Sequence, residues 1–183
     1  MSPAMSDSLP LRPSTRPARQ AERLGRALLV AAALSTLITP IATDAVVLNA
    51  AHMGNPAWLP HAKLHCAMSF FAAASMGGAA LICVLRRPVE DRFAMAMSAF
   101  LGSAFWVGLI LAGLWPGASY GFTGDPVYGS QLPPEIAGIA FYPNVAAAAL
   151  TVVAAVAGLL LTRPAAGVEA TDPSSSSSRK DFS

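Results

Sequence analysis

The chain has 183 residues, of which 54% are hydrophobic and only 12% are charged. Soluble domains carry about 25% charged residues, so this composition excludes an ordinary soluble domain and predicts a chain whose main solvent is the lipid bilayer. The formal net charge is only +2, and no aromatic–basic groove pattern accompanies the basic residues, so nucleic-acid binding is excluded as well.

Four apolar stretches follow one another along the chain, each long enough for a transmembrane helix, which needs about 20 residues. They predict membrane spans at about residues 24–48, 60–85, 93–115 and 136–162. The flanking residues 1–23 and 163–183 are polar, without apolar periodicity, and are predicted to be disordered tails. The sequence therefore predicts an all-α fold, with one polytopic membrane domain, residues 24–162, built as a bundle of four transmembrane helices.

Prolines interrupt the first and the fourth of these stretches. Pro40 is expected to kink the first span, because a proline inside a helix lacks an N–H and clashes with the preceding turn. Pro143 leaves an alternative for the fourth span, in which the helix covers residues 144–162 and residues 136–142 form an interfacial or re-entrant turn. A cleavable signal peptide is an alternative for the first span, although its apolar run exceeds the usual 7 to 15 residues.

The basic residues predict the orientation. Eleven of the twelve Lys and Arg residues lie in the two tails, at the start of the first span (Arg26) or in the linker between the second and third spans, and only Lys63 lies on the opposite side. Cytoplasmic segments carry such an excess, so both termini are predicted to be cytoplasmic. The alanine-rich composition fits the inner (plasma) membrane of a bacterial cell. The loops at residues 53–59 and 116–134 are then outside.

Small residues recur within the second and third spans. Lipid gives helices no hydrophobic drive to associate, so close contact through small side chains must supply it. The residues predicted to serve such packing are Ala73, Gly77, Gly78, Gly102, Gly108 and Gly113.

All three histidines lie within fourteen residues, where the first span ends and the second begins. Pro60 is a favourable first residue of a helix, so His61 and His65 are expected one turn apart on one face. Two imidazoles at this spacing can bind one metal ion. A zinc-like site needs about four ligands, and His52 is the expected third ligand of a divalent metal.

The polar residues around these histidines are predicted to converge on one ligand site at the outer face. An ionisable side chain at membrane depth is costly and usually has a partner. The predicted ligand-binding residues are Asp44, Asn49, His52, Asn55, Trp58, His61 and His65, with further contributions from Trp106, Glu135, Tyr142 and Asn144. The alternative is a polar network of Asp44, His52 and Asn55 that joins two helix ends and binds nothing.

The same loop has the spacing Asn49-x-x-His52-x-x-Asn55-Pro56-x-Trp58-x-Pro60-His61-Ala62-Lys63-x-His65. This string resembles the signature of a family of small four-helix membrane proteins of bacteria and fungi, a domain of unknown function. A threonine–proline pair in the first span, Thr39 and Pro40, is a further similarity. Leu59 and Val47 depart from the family, which has proline and an acidic residue at those positions. The resemblance implies a four-helix fold and a histidine-rich outer loop, and it implies no activity.

Three functions follow from these patterns. The preferred one is a membrane module that binds a lipophilic small molecule or a divalent metal through the outer histidines. The second is a membrane-embedded enzyme that acts on a lipid or isoprenoid-like substrate by acid–base chemistry, for which imidazole is suited near neutral pH. The third is a structural or accessory membrane subunit. Neither a Ser-His-Asp order nor a cysteine-metal motif supports a more specific class.

Overall fold

The computed structural model describes residues 16–122, 125–128 and 133–163. In these ranges the chain forms four long helices, α1 (Arg16–Ile41), α2 (Pro60–Arg86), α3 (Arg92–Ala112) and α4 (Pro143–Leu161). By length and composition, each of the four is apolar enough to cross a membrane. The predicted all-α class is confirmed for the described residues, with one very short hairpin added.

The first helix begins earlier than the apolar pattern suggested. It starts at Arg16, so the assignment of residues 16–23 to a disordered tail is wrong. Ala, Arg, Gln and Glu make up this stretch except for Pro17 and are strong helix formers, and Pro17 is tolerated in a first helical turn. The rest of both predicted tails, residues 1–15 and 164–183, lies outside the described residues.

The last turn of α1 contains Pro40, and regular α-helical geometry ends directly after it. The chain continues as a π-helical turn, Ala42–Val47, and then as a 3₁₀ turn, Asn49–Ala51. Proline removes one backbone hydrogen bond from the helix, which explains why the regular pattern stops here. Residues 42–48, which include Thr43 and Asp44, are therefore wound differently from the helix that precedes them.

The fourth helix is shorter than the apolar run 136–162, so the prediction of a continuous helix over that range is wrong. The alternative, a helix over 144–162 after a turn at 136–142, is closer to the structure. Helix α4 starts at Pro143, which disfavours helical geometry for the residue before it. Before it, β1 (Glu135–Ile136) pairs antiparallel with β2 (Ile139–Ala140). The turn between the strands has positive φ at Ala137 and Gly138, 53° and 78°, as a type I′ hairpin requires.

Helix α1 is the centre of the bundle and packs against each of the other three helices. The buried interior consists largely of alanine and glycine, whereas many large apolar side chains are exposed, among them Phe71, Phe93, Phe100, Leu150 and Val153. Two polar contacts link the helices at mid-height. Thr36 Oγ1 donates to the carbonyl of Gly102 at 2.6 Å, and the hydroxyls of Ser35 and Thr151 lie 2.9 Å apart.

The two ends of the bundle differ in character. At the arginine end, residues 16–26, 84–92 and 158–163, Arg26 donates to the carbonyl of Val84 and Arg92 to that of Thr162, each at 2.6 Å. These carbonyls belong to helix C-termini, where no intrahelical donor is left for them. At the loop end, residues 39–65 and 105–144, Lys63 is the only Lys or Arg among the described residues.

Candidate functional site

A cavity of about 630 Å³ opens at the loop end. It lies between the end of α1, the end of α3, the start of α4 and the segment that joins α3 to α4. Helix α2 contributes no side chain to it. The lining residues are Thr39, Pro40, Thr43, Asp44, Leu48, His52, Trp58, Phe105, Trp106, Leu109, Ser119, Tyr120, Gly121, Phe122, Pro133, Pro134, Phe141, Tyr142, Pro143, Asn144 and Ala147.

The lining is mainly aromatic and aliphatic, and it contains few groups that can carry charge. Seven Phe, Tyr and Trp side chains line it, whereas Asp44 is its only carboxylate and His52 its only imidazole. No Lys or Arg belongs to the described lining. Sites for small molecules are usually of this kind, mostly apolar with a small number of polar groups that orient the ligand.

The irregular end of α1 supplies one wall of the cavity. Thr39, Pro40, Thr43 and Asp44 all line it, because positions three to four residues apart share one helix face. The π-helical turn is closed by a 2.6 Å hydrogen bond from the amide of Leu48 to the carbonyl of Thr43. Isolated π-helical turns are frequent at functional sites, and this one holds the carboxylate of the cavity.

Asp44 and His52 form an acid–imidazole pair at the cavity wall. His52 Nε2 lies 3.9 Å from Asp44 Oδ1, and the side chains retain 19% and 31% exposure, respectively. The other ring nitrogen, Nδ1, lies 3.1 Å from the carbonyl of Leu48. With Nδ1 as the donor to this carbonyl, Nε2 is the nitrogen that faces the carboxylate. The 3.9 Å separation allows an ion pair but is too long for a direct hydrogen bond.

Two aromatic rings fix the orientation of the His52 imidazole. Trp58 and Phe122 each meet it edge-on, with ring centroids 5.6 Å from that of His52. Edge-to-face packing of this kind is favourable between aromatic rings. His52 is therefore held by a backbone carbonyl on one side and by two rings on others.

Trp106 presents an unpaired donor at the same cavity. Its side chain is 3% exposed, and its indole Nε1 has no hydrogen-bond partner among the described residues. Leaving a buried N–H without an acceptor is costly, and such a group calls for an explanation in a native structure. A ligand with an acceptor oxygen or nitrogen would supply the missing partner.

Asn55 is a structural clamp and does not line the cavity. It is 0% exposed. Its Nδ2 donates to the carbonyl of Ala51 at 3.2 Å and to Asp125 Oδ2 at 3.0 Å, and its Oδ1 accepts from the amide of Ala57 at 2.9 Å. Asp125 belongs to the segment between α3 and α4, so Asn55 joins the two loops. Trp58 also bonds to Asp125.

The structure places Asn49 outside the cavity lining. Its carbonyl accepts from the amide of Gly54 at 2.6 Å, and its side chain lies against Gly54, where an added Cβ would be 3.2 Å from Nδ2. Among the later residues singled out in the sequence, Trp106, Tyr142 and Asn144 line the cavity, whereas Glu135 is exposed in β1.

His61 and His65 do not join His52. Both are exposed on α2, with their Nε2 atoms 3.0 Å apart, whereas His52 lies at the cavity, to which α2 contributes nothing. Among the described residues, no three His, Cys, Asp or Glu side chains lie close enough together to hold a metal ion. The predicted three-histidine metal site is therefore not formed. His52 lies at the cavity instead, where it contacts the carbonyl of Leu48 and the rings of Trp58 and Phe122.

Four aromatic residues of the lining, Phe105, Tyr120, Phe122 and Phe141, were not among the residues predicted from the sequence. The signal available was the concentration of aromatic residues between positions 105 and 142. Tyr120 donates its hydroxyl to the carbonyl of Ile110 at 2.7 Å, and its own carbonyl accepts from Asn144 at 3.0 Å. Through these two bonds Tyr120 joins the segment after α3 to the end of α3 and to the start of α4, at the wall of the cavity.

Comparison of the chain with protein-family models, with curated proteins and with solved structures finds no match.

Proposed function

We propose that the chain is an inner-membrane protein with both termini cytoplasmic, whose outer cavity binds a lipophilic small molecule. Membrane insertion is supported by the large apolar side chains on the outside of the bundle and the small ones inside it. The orientation is supported by the arginine end, where eight described arginines gather, in keeping with the excess of basic residues on cytoplasmic segments. The cavity then lies in the outer leaflet or at its surface.

The single observation that carries the binding function is the combination of cavity size and lining. A volume of about 630 Å³ lies within the range of small-molecule sites, roughly 300–1,000 Å³. The aromatic walls favour a largely apolar ligand, and the unpaired Trp106 N–H favours one that carries a hydrogen-bond acceptor. Asp44 and His52 would bind a second polar group on the same molecule.

The test uses substitutions that fill the cavity. Ala147 lines it, whereas Ala149 on the same helix is exposed. The wild-type chain, Ala147→Phe and Ala149→Phe are purified from identical membranes in the same detergent, and the organic extract of each is compared by mass spectrometry. We expect a compound at near-stoichiometric amount with the wild type and Ala149→Phe and its loss with Ala147→Phe, since the added ring occupies the ligand volume.

Equal amounts of the same compounds in all three extracts would contradict the proposal, because cavity filling would then displace nothing. Size-exclusion chromatography shows whether Ala147→Phe remains a folded, monodisperse protein. Ala147→Met, which fills less of the volume with a flexible side chain, provides an intermediate case that should retain an intermediate amount.

A second function, acid–base catalysis on the bound lipophile, is favoured by the Asp44–His52 pair at the cavity wall. An imidazole positioned by a backbone carbonyl and facing a carboxylate can transfer protons near neutral pH. Extracts of the wild type and of His52→Asn distinguish the two functions. A catalytic pair predicts that the variant retains only the substrate, whereas the wild type also holds an isomer of equal mass. The same single compound in both indicates binding alone.

We also propose that the chain belongs to the four-helix family whose loop signature it resembles. The structure offers a physical role for part of that signature, because Asn55 joins the two loops and Trp58 contacts both His52 and Asp125. His61 and His65, in the second half of the signature, lie on α2, outside the cavity lining. Their presence in the signature needs an explanation other than the cavity.

A further inference from the structure

His61 and His65 form a pair that the cavity does not use. They stand in the first two turns of α2, both exposed. Their Nε2 atoms are 3.0 Å apart. The rings are nearly perpendicular, at 89°, with their centroids 4.5 Å apart. Two explanations fit a distance of 3.0 Å, a hydrogen bond between the rings or convergence of both nitrogens on one ion.

The ring positions do not fit a straight hydrogen bond between the two imidazoles. In a straight N–H···N bond the ring centres lie behind their nitrogens on one line, so their separation at this N···N distance would be about 5.3 Å. The observed 4.5 Å requires the two ring axes to tilt. The 3.0 Å between the two nitrogens fits two neighbouring ligands of one ion, because two metal–imidazole bonds of about 2.05 Å at a right angle place their nitrogens about 2.9 Å apart.

The angle at a shared ion indicates which kind of ion fits. Two nitrogens 3.0 Å apart, each about 2.05 Å from the ion, subtend an angle of about 94°, near the 90° between neighbouring ligands of a tetragonal ion. A tetrahedral zinc ion would require a wider angle and about four protein ligands. No third His, Cys, Asp or Glu joins the pair within the described part of the chain. Neutral nitrogen ligands in tetragonal geometry are typical of Cu²⁺.

We propose that His61 and His65 are a two-nitrogen chelate for Cu²⁺, separate from the cavity and open to water or to an external ligand at the remaining positions. Exposure of both side chains gives the ion direct access from solution. The positive end of the α2 dipole disfavours a cation in the first turn, and no carboxylate of the described chain completes the site. We therefore expect an exchangeable site, with binding weaker than that of a closed site.

The test titrates Cu²⁺ into the full-length, tag-free protein in detergent by isothermal titration calorimetry, with electron paramagnetic resonance of the complex. We expect one Cu²⁺ per chain with nitrogen hyperfine structure, and weaker binding of Zn²⁺, in the usual order of stability for divalent ions. His61→Ala and His65→Ala should each weaken Cu²⁺ binding at least about tenfold. His52→Ala, which removes the histidine of the cavity, should bind Cu²⁺ like the wild type.

A further variant keeps the number of histidines and changes only their geometry. Ala62 is exposed beside His61, so Ala62→His combined with His65→Ala leaves two histidines about 100° apart around the helix. This variant should lose the chelate while it remains folded by size-exclusion chromatography. Wild-type affinity in it or in the double variant His61→Ala, His65→Ala would overturn the proposal, as would absence of Cu²⁺ binding to the wild type. Zn²⁺ binding as tight as that of Cu²⁺ would overturn the assignment to copper.

Discussion

At the scale of single residues, Asn55 has the most demanding environment at the loop end. It is 0% exposed and makes three hydrogen bonds. Asn55→Ala would leave the amide of Ala57 without its acceptor and remove one of the donors to Asp125, so we expect a loss of about 1–3 kcal/mol in the free energy of unfolding. Thermal unfolding in detergent measures it. Asn49 in the same loop is exposed, so Asn49→Ala serves as the control and should change the free energy of unfolding by no more than about 0.5 kcal/mol.

Asp125 gives the same clamp a pH dependence. The backbone N–H groups of Tyr128 and Val127 hold the pKa of Asp125 below its ordinary value of 3.8, with a smaller contribution from Asn55. A carboxylate with a depressed folded-state pKa stabilises the fold fully above 3.8, and this contribution disappears as the pH falls through the lower, folded-state value. The stability difference between the wild type and Asp125→Asn should be constant from pH 7 to 5 and shrink below about pH 3.8.

Trp106 should affect ligand binding and stability differently. Trp106→Phe removes a buried donor that lacks a partner, which relieves about 1–3 kcal/mol, and it also removes packing of similar value. The stability of the ligand-free protein should therefore stay within about 1 kcal/mol. The amount of co-purified ligand should fall roughly tenfold, the value of one buried hydrogen bond. Trp115→Phe is the control, since Trp115 is 76% exposed. Full retention of ligand by Trp106→Phe would show that the indole N–H makes no bond to it.

The residues of the candidate site were only partly predictable from the sequence. Asp44 and His52 could be paired in advance, because both flank the end of one span and an ionisable group at membrane depth needs a partner. The separation of His52 from His61 and His65 could not, because it depends on which side of α1 the loop folds. That choice is made by Leu48, Trp58 and Phe122, whose contacts with His52 are invisible in a pattern of spacings.

At the scale of elements, the contact between α1 and α2 depends on Gly77. A Cβ there would lie 2.5 Å from the amide nitrogen of Leu37 and 2.8 Å from the carbonyl oxygen of Ala33. Both are backbone atoms, so Gly77→Ala must push the helices apart, at a cost of about 1–3 kcal/mol. Gly78 has nothing within 4 Å of an added Cβ. Gly78→Ala should therefore be neutral or stabilise by up to about 1 kcal/mol through helix propensity.

Thermal unfolding of the two alanine variants beside the wild type is a matched measurement, since the positions are adjacent in one helix. Equal effects of Gly77→Ala and Gly78→Ala would contradict the close approach of α1 and α2. The sequence alone predicted both glycines to serve packing. Only the rotation of α2 about its axis, set by its neighbours, shows that Gly77 faces α1 and Gly78 faces open space.

The existence of the four helices was predictable because long apolar runs fix it, whereas their ends were less so. The hydropathy pattern did not predict that residues 16–23 are helical, because an exposed polar helix has no apolar run. It also could not see that residues 135–140 form a hairpin, since Ile136 and Ile139 continue the apolar pattern of α4. Pro40 and Pro143 were the better markers, because each changes backbone geometry at the position where the regular helix stops or starts.

At the scale of the whole molecule, the bundle is unsuited to water. Aromatic and aliphatic side chains such as Phe71, Phe93 and Leu150 are more than 70% exposed, whereas alanines such as Ala33, Ala73 and Ala148 are 0% exposed. In water an apolar surface of this extent would favour aggregation. In lipid it carries no such cost, and small interior residues allow the close helix contacts that stabilise membrane bundles.

The proposed orientation of the bundle rests on its charge distribution and can be tested with fusion proteins. If the arginine end is cytoplasmic, green fluorescent protein fused after residue 183 should fluoresce in bacterial cells, and alkaline phosphatase fused there should be inactive because it folds only outside. Fusion after residue 117, in the segment between α3 and α4, should give the opposite pair of results. Replacing Arg86, Arg87 and Arg92 by Gln should weaken this preference, since basic residues in short loops determine topology. The reverse pattern in the unaltered chain would place the cavity on the cytoplasmic side, where its ligand would have to come from the inner leaflet or the cytosol.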